Sequence, residues 1–226
     1  MRNILSPDGF LIRFLSTLFD CMVLSWLFVI CSIPIFTIGV SGTAVYTVIF
    51  RKMKGDDCHI LPTFFKAFKE NFFQATVCFV PLLAFCSGMS YSVYLVHVIP
   101  NCNFSFIQYP AVILMFLAVA FSIFIYPQLA LFDSPLSKTL KNSVLLCISN
   151  FPTVFMFLII HALIVLAAFI SPKSTYLVIS IMPFIGFGLL AYFFCLFYRR
   201  IFQKVLRSAF EKAHEGEEID DEDLGI

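Results

Sequence analysis

The sequence predicts an all-α fold, a polytopic bundle of transmembrane helices. Hydrophobic residues make up 60% of the 226 positions and charged residues 13%, which leaves too little polar surface to cover a water-soluble globule. The charges are also segregated, with short basic stretches separating long uncharged ones. Those uncharged stretches have the length of about 20 residues that a helix needs to cross a hydrocarbon core of about 30 Å. Disorder is excluded by the same composition everywhere except the C-terminal end.

Met1 to Gly9 is short and mixed in charge, and no cleavable signal is expected there. Phe10 to Ile33 reads as a first helix, long enough to cross, with Arg13 and Asp20 in its first half. Trp26 to Phe50 contains 25 residues without a charge, interrupted by Pro34 and Gly39. Pro34 disfavours helical geometry at Ile33 and Gly39 relaxes the turn that follows, so this stretch reads as helix, tight turn, helix. The second helix, Val40 to Met53, is shorter; its Ser41, Gly42, Thr43 and Ala44 allow close approach to a neighbour.

Arg51 to Gln74 is the most charged internal segment. Phe64, Phe65, Phe68 and Phe72 are read as one face of a helix lying in the membrane interface, with Lys66, Lys69 and Glu70 off that face. Ala75 to Val98 then crosses, Pro100 to Pro110 forms an uncharged loop, and Ala111 to Phe132 crosses back, bent near Pro127. The scheme repeats. Asp133 to Asn150 is mildly basic, Pro152 to Ile170 crosses with His161 at its centre, Ser171 to Thr175 turns, and Tyr176 to Tyr198 returns through Pro183, Gly186 and Gly188. PTFFKAFKEN (62–71) echoes PLSKTLKN (135–142), which suggests an internal duplication with the opening helix pair as a third hairpin. Residues 1–212 are thus expected to form one domain, and 213–226 an acidic, disordered cytoplasmic tail, with seven acidic residues in the last twelve positions.

Fourteen of the fifteen lysines and arginines fall on one side if six helices cross with both termini inside, leaving only Lys173 outside. Five crossings, with the N-terminus outside and Val40 to Phe50 lining the bundle, divide them as twelve and three. Six is preferred because it makes three like hairpins. Either scheme places the C-terminus in the cytoplasm, and a basic surface between apolar segments fits a lipid bilayer and not a nucleic-acid partner.

Two ionisable residues fall inside predicted crossings, where such groups are candidates for function. Asp20 either pairs with Arg13 or reaches the interface, or it serves a solute. His161 is either a neutral imidazole bonded to a backbone carbonyl or to a neighbouring Ser or Tyr, or it takes part in solute or proton handling. Asp56, Asp57, Cys58 and His59 lack a second ligand pair at zinc spacing and read as a solvated loop. The eight cysteines mostly fall in apolar runs and read as small fillers, with Cys102 in the outer loop. Gly186-Phe-Gly188-Leu-Leu-Ala191 matches a dinucleotide fingerprint on paper, but it follows no strand; its glycines read as packing or bending positions. Asn103-Phe-Ser105 is a glycosylation sequon only in a secretory cell. No motif for ATP hydrolysis or common hydrolase chemistry occurs, so no metal, cofactor or enzymatic activity is expected.

Ser32-Ile-Pro34-Ile-Phe-Thr37-Ile-Gly39 with Ala44-Val-Tyr46, then Phe64-Phe65-Lys66-Ala67-Phe68-Lys69-Glu70-Asn71-Phe72-Phe73-Gln74-Ala75, resembles the YesL family of bacterial integral membrane proteins, a family built around a domain of unknown function. Tyr126-Pro127 to Asp133 is similar to the family's return from the membrane. Pro34, Thr37, Gly39, Phe65, Lys66, Phe68 and Asn71 carry the motif. Ser25 departs from it, since an Asn is expected before Trp26, so no polar role is assigned to Ser25. The resemblance implies a protein of the bacterial cytoplasmic membrane whose relatives are often encoded beside carbohydrate uptake systems of the ATP-binding-cassette type. From it we expect an accessory partner of such a system, with the permease subunits as its contacts. The alternative is a sugar transporter in its own right, which the helices broken at Pro34, Pro81, Pro127 and Pro183 could serve. A sugar pathway needs several hydroxyl-binding groups, and Asp20, Thr37, Tyr46, Gln128 and His161 are scattered along the chain.

Overall fold

The computed structural model describes residues 10–56, 58–98, 106, 108–132 and 134–213, and among these it contains helices and no strand. Helix α1 spans Phe10–Cys31 and α2 spans Ile38–Lys54, joined through a single 3-10 turn at Ile35–Thr37. Helix α3 runs over Ile60–Val98, α4 over Gln108–Leu131, α5 over Leu136–Ser149 and α6 over Phe151–Ile170. A ten-residue α7, Pro172–Ile181, passes through a π-helical segment, Met182–Gly186, into α8, Phe187–Ala213. The loop around Cys102 and the sequon, and the acidic tail from residue 214, lie outside the described residues.

Five of these helices are long and apolar enough to cross a membrane, over Phe14–Cys31, Ile60–Val96, Gln108–Leu131, Phe151–Ile170 and Pro172–Arg207. A multi-pass helical bundle is therefore the fold, as composition predicts. Helix α2, with 17 residues, is not among the five, yet it is the bundle's centre. Gly39 through Phe50 are buried almost without a break, packed chiefly against α3, α4 and α8. In lipid, helices gain little from hiding apolar surface from a solvent that is equally apolar, and what favours association is close backbone approach. Glycine, serine, threonine and alanine allow that approach, and α2 is rich in them.

The structure redraws two sequence-based boundaries and keeps a third. The interfacial helix and the crossing that follows it are one continuous helix, α3, 39 residues long, because nothing between Asn71 and Val80 breaks helical geometry. Its four-phenylalanine face is also divided: Phe64 is buried and Phe68 half-buried, while Phe65, Phe72 and Phe73 point outward. The stripe of buried Phe64, Ala67 and Ala75, with half-buried Asn71 between the alanines, follows the three-to-four-residue spacing of a helix against a neighbour. The second basic segment remains a separate helix, since Asn150 and Pro152 stop α5 and start α6. Finally, the last crossing is α7 and α8 with Pro183 in the π segment between them. A proline lacks the N–H that an α-helical turn requires, and a locally widened turn absorbs the defect.

Candidate functional site

Each polar group inside the bundle must find a partner, because lipid offers none. Asp20 on α1 finds Lys52 on α2: the two side chains form an ion pair, partly shielded from solvent. Sequence reading expects Asp20 to pair with Arg13 or to reach the interface; the Arg13 side chain lies outside the described ones, and Lys52, 32 positions on, is a partner that no local pattern names. Only the antiparallel return of α2 brings it there. The pair borders a cavity of about 680 Å³ at the charged end of the bundle, whose wall also includes Ser16, Asp56 and Cys58.

Thr37 is buried at the turn between α1 and α2. Its hydroxyl lies 2.6 Å from the carbonyl oxygens of both Cys31 and Pro34, to either of which it donates. The C-terminal turn of any helix leaves carbonyls without intrahelical partners, and Thr37 covers one here. Two residues on, a Cβ added to Gly39 would sit 2.9 Å from both Phe79 Cβ and Tyr126 Cε1. Pro34, Thr37 and Gly39 thus act together in geometry: the proline interrupts α1, the threonine closes the break, and the glycine lets α2 press against α3 and α4. Downstream, Lys66 faces Glu70 across one exposed helical turn at 3.9 Å, and the Asn71 amide donates to the Ala67 carbonyl at 3.0 Å.

His161 makes a backbone hydrogen bond of the kind that one of its two readings names. Its Nδ1 lies 2.7 Å from the Phe157 carbonyl oxygen, one turn back on α6, and its ring packs on Phe194. A carbonyl only accepts, so Nδ1 carries the proton. The ring borders a cavity of about 860 Å³ between the α1–α2 turn and the α6–α8 hairpin. Its walls are almost wholly apolar, built from residues such as Phe28, Val45, Ile164 and Phe187. Asp20, Thr37 and His161 therefore occupy separate places and form no joint site.

Two of the interhelical bonds that escaped sequence reading lie along α8. Ser25, to which no polar role was assigned, donates to the Cys21 carbonyl at 2.8 Å and accepts from the backbone N–H of Gly188 at 2.8 Å. A Cβ at Gly188 would lie 2.7 Å from the Cys21 carbonyl carbon, so the contact between α1 and α8 requires glycine. The paper dinucleotide motif is a packing contact. The other bond joins α8 to α4: Tyr198 donates its hydroxyl to the Ile123 carbonyl at 2.7 Å. The helical donor to that carbonyl would be residue 127, which is proline and has none. The missing N–H at Pro127 was the available signal that a donor from elsewhere was needed. Tyr198 is also an aromatic hub, with Tyr46, Phe124 and Phe157 rings 5.3 to 5.8 Å from its own.

Not every buried polar atom is paired. Ser41 Oγ on α2, Thr76 Oγ1 on α3, and Tyr126 Oη and Gln128 Nε2 on α4 have no protein partner. Among the described residues no group of His, Cys, Asp and Glu is arranged to hold a metal. Asp57, one member of the loop quartet, lies outside them. The described cysteines are unpaired; Cys21 and Cys195 are fully buried, and burial pushes the Cys147 thiol on α5 above its ordinary range.

Helix content, span length and the lipid-like exterior define a multi-pass membrane protein. The family described as "Protein of unknown function, DUF624" matches residues 21–92, the second half of α1, the turn, α2 and most of α3. This is the YesL-type family, and the likeness lies in that segment, which holds Pro34, Thr37, Gly39 and the phenylalanine-rich block. Neither a curated protein nor a solved structure matches the chain.

Proposed function

We propose that this protein is a non-enzymatic accessory component of the bacterial cytoplasmic membrane, docking on the permease subunits of a carbohydrate uptake system of the ATP-binding-cassette type. The observation that carries the reading is the fate of the polar groups. Asp20, Thr37 and His161 are spent on Lys52, on the Cys31 and Pro34 carbonyls, and on the Phe157 carbonyl. A sugar presents many hydroxyls, each of which needs a partner when it leaves water, and the larger cavity supplies almost none. The carbohydrate association itself comes from the family resemblance. In this reading both termini are cytoplasmic, as the distribution of lysine and arginine favours.

A second reading, transport in its own right, draws on Ser41 on α2 and on Tyr126 and Gln128 on α4, whose polar atoms are buried and unpaired, α4 being interrupted by Pro127. Purified protein in liposomes separates the two. Saturable sugar uptake with no other protein present overturns the accessory reading. Absence of uptake, with recovery of permease subunits on affinity purification from the native membrane, supports it.

A further inference from the structure

We propose that the α1–α2 hairpin is re-entrant: it enters from the charged side, turns at Ser32–Thr37 within the hydrocarbon, and returns, so that only four segments, α3, α4, α6 and α7–α8, cross completely. The inference rests on depth read against three neighbours. On α3, the last charged residue is Glu70, and Gly39, two residues past the turn, meets the helix at Phe79, nine residues on. At 1.5 Å per residue that is about 13 Å of ascent, with about 28 Å of uncharged helix remaining to Val98. On α4, Tyr126 meets Gly39 about 27 Å below Gln108 at the other end of the helix. On the opposite side of α1, Trp26 packs on Phe184 with ring centroids 5.2 Å apart. Phe184 is about 16 Å from Lys173 along the α7–α8 path, while Cys31 is only about 8 Å beyond Trp26. The hairpins that flank the turn therefore rise about 9 Å past the end of α1 on one side and about 28 Å past Gly39 on the other, of which the two to four residues back to the turn take up only about 6 Å.

The turn has the chemistry of a lipid-embedded element. It carries no charge from Cys31 to Gly39 and exposes Ile33, Ile35 and Phe36 at 75%, 60% and 48%. Non-helical backbone at membrane depth needs its polar groups satisfied by protein. The N–H groups of Ser32, Ile33, Thr37 and Ile38 bond to the carbonyls of Phe28, Ile30, Pro34 and Ile35, and Thr37 supplies its hydroxyl to the break in α1. The other end of the hairpin is anchored where charge belongs: Asp20 pairs with Lys52, and Arg199 donates to the Met53 carbonyl at 3.2 Å. With four crossings both termini share one side, and the basic residues keep the distribution that favours six.

Depth and accessibility together test this. In the full-length protein in cells, Phe106→Cys, Ile33→Cys and Ile35→Cys are each treated with a membrane-impermeant maleimide, with the unaltered chain setting the background. Phe106→Cys is expected to label from outside and the two turn variants at least about tenfold less, from outside and in inside-out vesicles alike. Rapid labelling of either turn position from outside overturns the proposal. Because a buried cysteine could also escape reagent, Ile35→Trp is placed in a Trp26→Phe background, removing the single native tryptophan. Its fluorescence in vesicles is expected to be quenched more by lipids brominated deep in the acyl chain than by lipids brominated near the headgroup. The reverse order places the turn at the outer surface and overturns the proposal, as does an N-terminal reporter found outside.

Discussion

Helix α6 is the most apolar of the candidate spans and buries only three of its residues, whereas α2 falls short of a span and buries ten. Water would impose the opposite order. In a bilayer the large side chains of α6, such as Phe155, Leu163 and Phe169, are content to face lipid, while Gly39, Ser41, Thr43, Ala44 and Thr47 let α2 come close to its neighbours at the centre, the two threonine hydroxyls being satisfied one turn back on α2 itself. Burial along α2 thus goes with small side chains that allow close approach, beside apolar ones such as Val48 and Phe50, and not with hydrophobicity alone.

The comparison is broken most severely at the glycine contact between α1 and α8. Gly188→Ala is expected to force the helices apart and sever the bond to Ser25, at a cost of about 3 kcal/mol or more. Gly88→Ala on α3, where a Cβ meets nothing within 4 Å, is the matched control. It is expected to be neutral or to gain about 0.5 to 1 kcal/mol from reduced backbone freedom. Thermal unfolding in detergent measures both, and equal behaviour of the two variants defeats the argument from close approach.

Next in size is the Asp20–Lys52 pair. Either Asp20→Asn or Lys52→Met alone is expected to destabilise by about 1 to 3 kcal/mol, since it strands a partly shielded charge. The double variant should recover part of that loss, and a full mutant cycle with no coupling between the positions would show that the pair contributes nothing. Tyr198→Phe follows, at about 1 to 2 kcal/mol, because it leaves the Ile123 carbonyl without a donor. The same change in a Pro127→Ala background should be milder, since residue 127 then regains its own N–H. A loss of equal size in both backgrounds would assign the effect to aromatic packing alone.

The solvent, the helices and the break at Pro34 were legible in the sequence, because they follow from long uncharged runs and from proline geometry. The family segment was legible too, in Thr37, Gly39 and the Phe65–Asn71 block. Partners were not. Lys52 lies 32 residues from Asp20, Gly188 lies 163 from Ser25, and Tyr198 lies 75 from Ile123. Such pairs are set by the way the helices return past one another, and no local pattern encodes that. The fusion of the interfacial helix into α3 was missed for a different reason: a face rich in phenylalanine reads the same whether it meets headgroups or another helix.

His161 gives the finest discrimination between the two regions. Its hydrogen bond is to its own helix, so His161→Leu removes no interhelical hydrogen bond, leaves the Phe157 carbonyl with its ordinary helical partner and keeps an apolar side chain against Phe194; the expected change in stability is within about 0.5 kcal/mol. Thr37→Val, by contrast, removes a hydroxyl that closes a backbone break, and about 1 to 2 kcal/mol should go with it. If His161→Leu instead abolishes the protein's association with a permease or its transport of a solute, while its melting temperature is unchanged, the imidazole acts on something outside the chain, and the apolar cavity it borders is where that partner would be sought. If the variant loses both folding and function, the ring's contact with Phe194 is structural, and α6 is held to the bundle more firmly than its sparse burial implies.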